Sequence, residues 1–228
     1  MSNVQSVFKI HTRDKWSWLY IPTIILSSSF IVNLVVGYLI GSSEDFYTGG
    51  LSSIFIYTLV LGILVMVQTF PFALGMSVRR KDYFIGTATM GFISSVVIGL
   101  LIYVLATIEN NTAGWGTGMH FFHFPYLSDG TSLEQIMINI ILLTFFFFTG
   151  FLISSFARRF GGKGMLVSTI LILLIISIAL LLIHNFGLWI DIFHWFAGKS
   201  AVQIAYWLLP FIAIYLPVTY FLIRKSTV

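Results

Sequence analysis

Between two long apolar runs the chain carries four consecutive charges, Arg79, Arg80, Lys81 and Asp82, within the stretch FPFALGMSVRRKDYFIGT from Phe70 to Thr87. A charge at the centre of a lipid-spanning helix costs about 2.5 to 3.5 kcal/mol on insertion scales, so these four lie outside any hydrocarbon. The flanking runs are each long enough to cross a bilayer, so the chain must form a hairpin whose tip is only a few residues long. Any partner of that tip must come to the membrane surface to meet it.

The rest of the chain agrees with lipid as its solvent. Apolar residues make up 58% and charged ones 9%, against roughly 45 to 50% and 25% in soluble domains. So few charges could not cover a soluble fold of this size, and the chain reads as one all-α integral membrane domain, residues 1–228. The net charge of +4 does not indicate nucleic acid, because the basic residues stand in short clusters beside apolar spans rather than along one face. With no cysteine, a disulfide framework, a thiolate metal site and a cysteine nucleophile are excluded. No short apolar stretch with a small-residue cleavage site opens the sequence, so no removable signal is expected.

Residues 3–16 place Val4, Val7, Phe8 and His11 on one helical face and end at Trp16, a pattern that predicts a short interfacial helix. Windows of about 20 apolar residues then predict six spans, at 18–41, 51–76, 84–107, 133–157, 164–184 and 201–223. Six crossings return both termini to one side. Lys9, Arg13, Lys15, Arg79, Arg80, Lys81, Arg158, Arg159, Lys163, Arg224 and Lys225 all fall on that side and only Lys199 on the other, so the positive-inside rule makes it cytoplasmic, in a plasma membrane. Glu44, Asp45, Glu109, Asp129, Glu134 and Asp191 fall outside. Pro71, Pro210 and Pro217 are expected to bend their helices. Gly91, Ser95 and Gly99 share a face of the third span, where they admit a close neighbour within the subunit.

Between the last two spans, HNFGLWIDIFHWFAGKS is too apolar for a solvated loop and too short to cross. It is expected to dip into the outer leaflet as a re-entrant segment carrying Trp189, Asp191, His194 and Trp195. The 108–132 loop is longer and aromatic, and its His120 and His123 are expected to stand without a nearby acid. His120, His123, His184 and His194 all fall outside and with Asp191 are candidate metal ligands, but their spacing matches no metal motif. Ser94, Ser95, Ser154 and Ser155 are the serines an intramembrane protease would use, but no nucleophile motif surrounds them. The Gly161-Gly162-Lys163-Gly164 turn lacks the first Gly and the Ser or Thr of a phosphate loop. No catalytic residue, cofactor or metal is therefore expected in this chain. Ionisable groups within the spans, which mark ion-driven transporters, are nearly absent as well.

On the FPFALGMSVRRKDYFIGT stretch and this topology, the chain resembles the permease subunits of ABC-2 type transporters, in particular small permeases of Gram-positive bacterial ABC exporters. The resemblance implies that the turn is a coupling helix docking on a separate ATP-binding subunit through Arg79, Arg80, Lys81, Asp82 and Tyr83, with Ser77 and Val78 leading in. It implies that the helix from Val4 to Trp16 is a connecting helix leaning on that subunit, and that Asn185 to Lys199 caps the path. It further implies two ATP-binding chains, holding ATP and Mg, and a second permease chain. The importer signature of EAA followed by Gly is missing, which makes export the expected direction. An aromatic, charge-poor interior favours an amphipathic or hydrophobic cargo such as an antimicrobial or toxin peptide, a drug or a lipid-linked molecule. The alternatives are an intramembrane protease and a non-transporting membrane anchor of a sensor complex.

Overall fold

The structure, a computed structural model, describes residues 3–41, 45–128 and 130–226. Glu44 and Asp129, placed above among the outer acids, lie outside the described residues. The chain is mostly helical, and among the described residues five helices are long and apolar enough to cross a membrane.

Helix α1 (Asn3–Arg13) leads into a wide π-type turn, Trp16–Tyr20, and then α2 (Ile21–Ile40). A second wide turn, Val65–Thr69, separates α3 (Ser52–Leu64) from α4 (Phe70–Gly75). Each wide turn runs up to a proline, Pro22 or Pro71, whose ring removes an N–H and crowds the carbonyl four residues back. In the first turn the Ile21 N–H reaches back to the Trp16 carbonyl. The Ser17 carbonyl then has no helical donor, since the next residue is Pro22, and Tyr57 Oη donates to it at 2.6 Å. In the second turn Thr69 Oγ1 and Tyr83 Oη both donate to the Val65 carbonyl, at 2.7 and 3.0 Å. Each wide turn thus holds a carbonyl that accepts from the tyrosine of a neighbouring helix.

Helix α5 (Arg80–Asn111) has 32 residues, about 48 Å at 1.5 Å each, so it overruns the expected 84–107 at both ends. Helix α6 (Ser132–Asn185) joins the expected spans 133–157 and 164–184 into one 54-residue element broken at Gly161, whose φ of 68° and ψ of −173° suit only glycine. After it come α7 (Trp189–Ala197), α8 (Ala201–Tyr206) and α9 (Leu209–Arg224). Pro210 marks the α8–α9 break and Pro217 lies inside α9.

The core forms where α6 crosses α3, α5 and α9. Its tightest point is Gly62 against Gly150: a Cβ at Gly150 would collide with the Leu59 carbonyl oxygen, and one at Gly62 with that of Phe147. Gly91 receives the Phe147 ring and Gly99 the Ile140 side chain, so the small-residue face of α5 packs within the subunit. Beyond Gly161 the apolar side chains of α6 are uncovered, as are those of α7. At the end of the bundle away from the charged turn, β1 (Phe46–Tyr47) pairs in parallel with β2 (Met119–His120).

Gly150→Ala should force α3 and α6 apart and cost about 1 to 3 kcal/mol as an overpacked core site. The change should appear as an earlier midpoint in detergent-induced unfolding, while Gly49→Ala, where a Cβ meets nothing within 4 Å, leaves the midpoint in place.

Candidate functional site

The charged turn is a tip with buried anchors. Ser77 takes a left-handed φ of 59°, Val78 turns inward and is buried, and Arg79, extended at ψ 141°, stands at the N-cap of α5. Ser77, Arg79 and Lys81 are exposed, Arg80 and Asp82 half-buried. Asp82 lies in the first turn of α5, where the helix dipole favours an anion. Tyr83, grouped above with the docking residues, is fully buried: its hydroxyl lies 2.9 Å from Thr69 Oγ1 and its ring packs edge-on against Phe70. Burial likewise removes Val78 from the exposed set. Helical spacing turns Tyr83 onto the same inward side as Gly86 and Thr87, while Val78 is buried ahead of the helix start.

Two other elements reach this end. Arg80 Nη1 donates to the Arg224 carbonyl at 2.7 Å, tying the tip to the last turn of α9. The Arg158 guanidinium lies 5.2 Å from the centre of the Phe70 ring, a cation–π distance. Basic residues far apart in the chain therefore share one end of the bundle.

Helix α1 ends at Arg13 rather than residue 16, and protein covers its apolar face. Val7 and His11 are fully buried, Val4 and Phe8 half-buried, and Trp16 is exposed. A Cβ at Gly86 would stand 2.8 Å from the Val7 side chain, and His11 Nε2 pairs with Thr87 Oγ1 at 2.9 Å. The His11 ring also meets Trp18 edge-on at 5.4 Å. Burial lowers the imidazole from 6.5 to about 4, against an opposing pull from Asp14.

At the far end the structure builds a site that sequence reasoning missed. Glu109, near the C-terminus of α5, is fully buried. Its carboxylate accepts from Trp115 Nε1 (2.9 Å), from the backbone N–H of Phe121 (2.9 Å) and Phe122 (3.0 Å), and from that of His123 (2.8 Å). An anion is disfavoured by the dipole at a helix C-terminus, and this set of donors compensates it. His120 Nδ1 is 3.7 Å from Glu109 Oε1 and its Nε2 is 3.8 Å from Asp45 Oδ2, while its ring stacks on Tyr47. The expectation that His120 and His123 lack a nearby acid is therefore wrong: the acids come from the end of α5 and from the loop before β1. No sequence spacing signals this, because most of the donors are main-chain groups.

Trp189, Asp191, His194 and Trp195 lie on α7 with exposed side chains. Trp195 meets Trp207 edge-on and lies under Lys199 Nζ. Among the described residues no three His, Asp or Glu groups converge as metal ligands. The hydroxyls of Ser95, Ser154 and Ser155 donate to carbonyls of their own helices, Gly91 for the first and Phe151 for the other two. The chain matches no protein-family model, no curated protein and no solved structure.

Glu109→Ala leaves the four donors without their acceptor, so amide exchange at Phe121, Phe122 and His123 should rise at least about tenfold. Glu109→Gln, which keeps one acceptor oxygen, should rise less. For α1, the undocked segment takes up a proton below about 6.5 and the docked one only near 4. Docking is therefore strongest above 6.5 and weakens as pH falls between those values. In NMR of imidazole-labelled protein, the signal lost in His11→Gln should titrate near 4; a midpoint near 6.5 would mean a ring in water.

Proposed function

We propose that the chain is the membrane-spanning permease subunit of an ATP-driven exporter of the ABC-2 type. It crosses the plasma membrane six times, with both termini and the charged turn in the cytoplasm, and α7 is the re-entrant outer segment. Support for six crossings comes from the break at Gly161 and from the contact between Tyr126 Oη and the Lys199 carbonyl at the far end. To reach Lys199 from Gly161, the second half of α6 must run back from the basic end. Its uncovered side chains leave room for lipid and for a second permease chain.

In this reading two ATP-binding subunits, holding ATP and Mg²⁺, seat against the tip and α1. Partner carboxylates accept from Arg79 and Lys81 in charge-assisted hydrogen bonds. A neutral, buried His11 and the Val7–Gly86 contact carry α1 with α5. The cargo is amphipathic or hydrophobic, in keeping with a described interior lined by aromatic and aliphatic side chains. The observation that carries the proposal is an exposed cationic tip locked by Val78 and Tyr83 to buried core, which makes it a rigid handle rather than a solvated loop.

The tagged chain, extracted from its native membrane in mild detergent, should bring with it a stoichiometric ATPase. Arg79→Glu with Lys81→Glu should remove that ATPase while insertion and unfolding midpoint stay unchanged. Because the chain has no cysteine, Ser77→Cys offers a single label, expected to react only from the cytoplasmic side. Labelling from outside, or an ATPase fully retained by the double variant, overturns the proposal.

A further inference from the structure

A cleft of about 680 Å³ lies between α2 and α5, floored by Ile54 and Ile102. The two helices diverge here because each is held elsewhere. At the basic end α1 packs on α5 and Trp18 packs on His11, while at the far end Phe30 of α2 meets Trp115, Phe121 and Phe122 of the loop held by Glu109. Along α5 the lining runs from Met90 to Leu105, about 22 Å at 1.5 Å per residue, and reaches beyond one leaflet of a core about 30 Å thick. Leu19, Val97 and Leu101 are among its more exposed residues, so the opening is lateral, towards lipid.

Polarity is concentrated at one end. His11, Asp14, Lys15 and Trp18 line the basic mouth. His11 Nδ1 and Trp18 Nε1 are buried without a hydrogen-bond partner among the described residues, an unfavourable arrangement if nothing fills it. Asp14 Oδ1 already accepts from the Ser17 N–H. The indole N–H and the Lys15 ammonium only donate, so the group that completes this mouth is an acceptor and an anion. A small anion would satisfy the mouth and leave the apolar cleft empty, whereas a second copy's apolar helix would fill the cleft and leave the donors unmatched.

We infer that the α2–α5 cleft is a binding site for an anionic glycerophospholipid, one acyl chain lying along α5 and the phosphate seated at Lys15, Trp18 and His11. The inference rests on the cytoplasmic placement of the basic end proposed above, since anionic lipid is concentrated in that leaflet. It does not depend on an ATP-binding partner.

Native mass spectrometry of the full chain, titrated with phosphatidylglycerol or with phosphatidylcholine of the same acyl chains, tests it. The first phosphatidylglycerol should bind about tenfold more tightly than phosphatidylcholine, the scale of one charge-assisted hydrogen bond. Lys15→Met combined with Trp18→Phe, which removes the ammonium and the indole N–H, should reduce that preference to about one. Ser94→Phe, which fills the middle of the cleft, should remove tight binding of either lipid. Equal affinity of the unaltered chain for the two lipids, or a preference that survives the Lys15 and Trp18 double variant, overturns the site. So does a Ser94→Cys disulfide between two copies, which would make the occupant a second chain. Each of these failures leaves the ATPase co-purification result intact, so the two proposals fall separately.

Discussion

A carbonyl stripped of its helical donor inside an apolar bundle must find another hydrogen, and the Ser17 carbonyl, left open by Pro22, finds it in the Tyr57 hydroxyl. Pro22 and Pro71 each force a wide turn, and the hydroxyls of Tyr57 and Tyr83 reach the carbonyls of Ser17 and Val65. The first bond fixes the start of α2 against α3. The second fixes the start of α5 against the α3–α4 break, and so sets where the charged tip emerges. Had the first helix been straight, the Tyr57 hydroxyl would lose the Ser17 carbonyl as its acceptor. Had Tyr57 been a phenylalanine, Pro22 would leave the Ser17 carbonyl open, whereas without the Tyr83 hydroxyl the Val65 carbonyl would keep Thr69 Oγ1. Pro22 and Tyr57 therefore constrain one another across about 35 residues, and Tyr83 closes on Val65 across 18.

How much of this was legible in the sequence divides by the kind of interaction. Run length and the alternation of charge located the long helices and put the basic clusters at one end, since both depend on the high cost of charge in hydrocarbon. Helix limits were less accurate, as α5 shows, because a helix continues past the hydrocarbon as long as its backbone bonds are satisfied. The apolar face of α1 was read correctly, but its cover was not: an amphipathic period says that a face is apolar, not whether lipid or protein lies against it. Gly86 and Thr87, small residues just inside the next helix start, are what let Val7 and His11 sink into protein. Tyr83, which the resemblance groups with Arg79–Asp82, is adjacent to them in sequence but not in direction. Three residues along a helix from Arg80, it faces inward.

Glu109 illustrates what a single sequence does not disclose. An acid followed by Asn110 and Asn111 at the end of an apolar run reads as a solvated helix end. Its partners lie six to fourteen residues away and most are backbone N–H groups, which every residue but proline possesses. Only the fold reveals that the loop from Ala113 to His123 is wrapped around this carboxylate, with left-handed Ala113 and Trp115 permitting the path. The same wrapping brings His120 between two acids, so the far end is organised by one buried charge as the basic end is organised by two tyrosines.

These two clamps have a mechanical consequence. Helix α2 is joined to its neighbours at the Ser17–Tyr57 bond and at the Phe30 aromatic cluster, and between them it stands off from α5 across the cleft. Helix α5, by contrast, is packed along its length, Gly91 against Phe147 and Gly99 against Ile140. On the exporter reading, a push on Arg79 and Lys81 therefore does not bend α5; it is carried by Tyr83 into the Val65–Thr69 turn, the point where the second crossing already lacks regular helical bonding. Such a wide turn exchanges hydrogen-bond partners at lower cost than an unbroken helix, so it is where a rigid handle would produce a hinge. The α2–α5 cleft, bounded by one element that moves with the handle and one held by its ends, is then the part of the bundle whose width changes, and an acyl chain lying in it would be sensitive to that change.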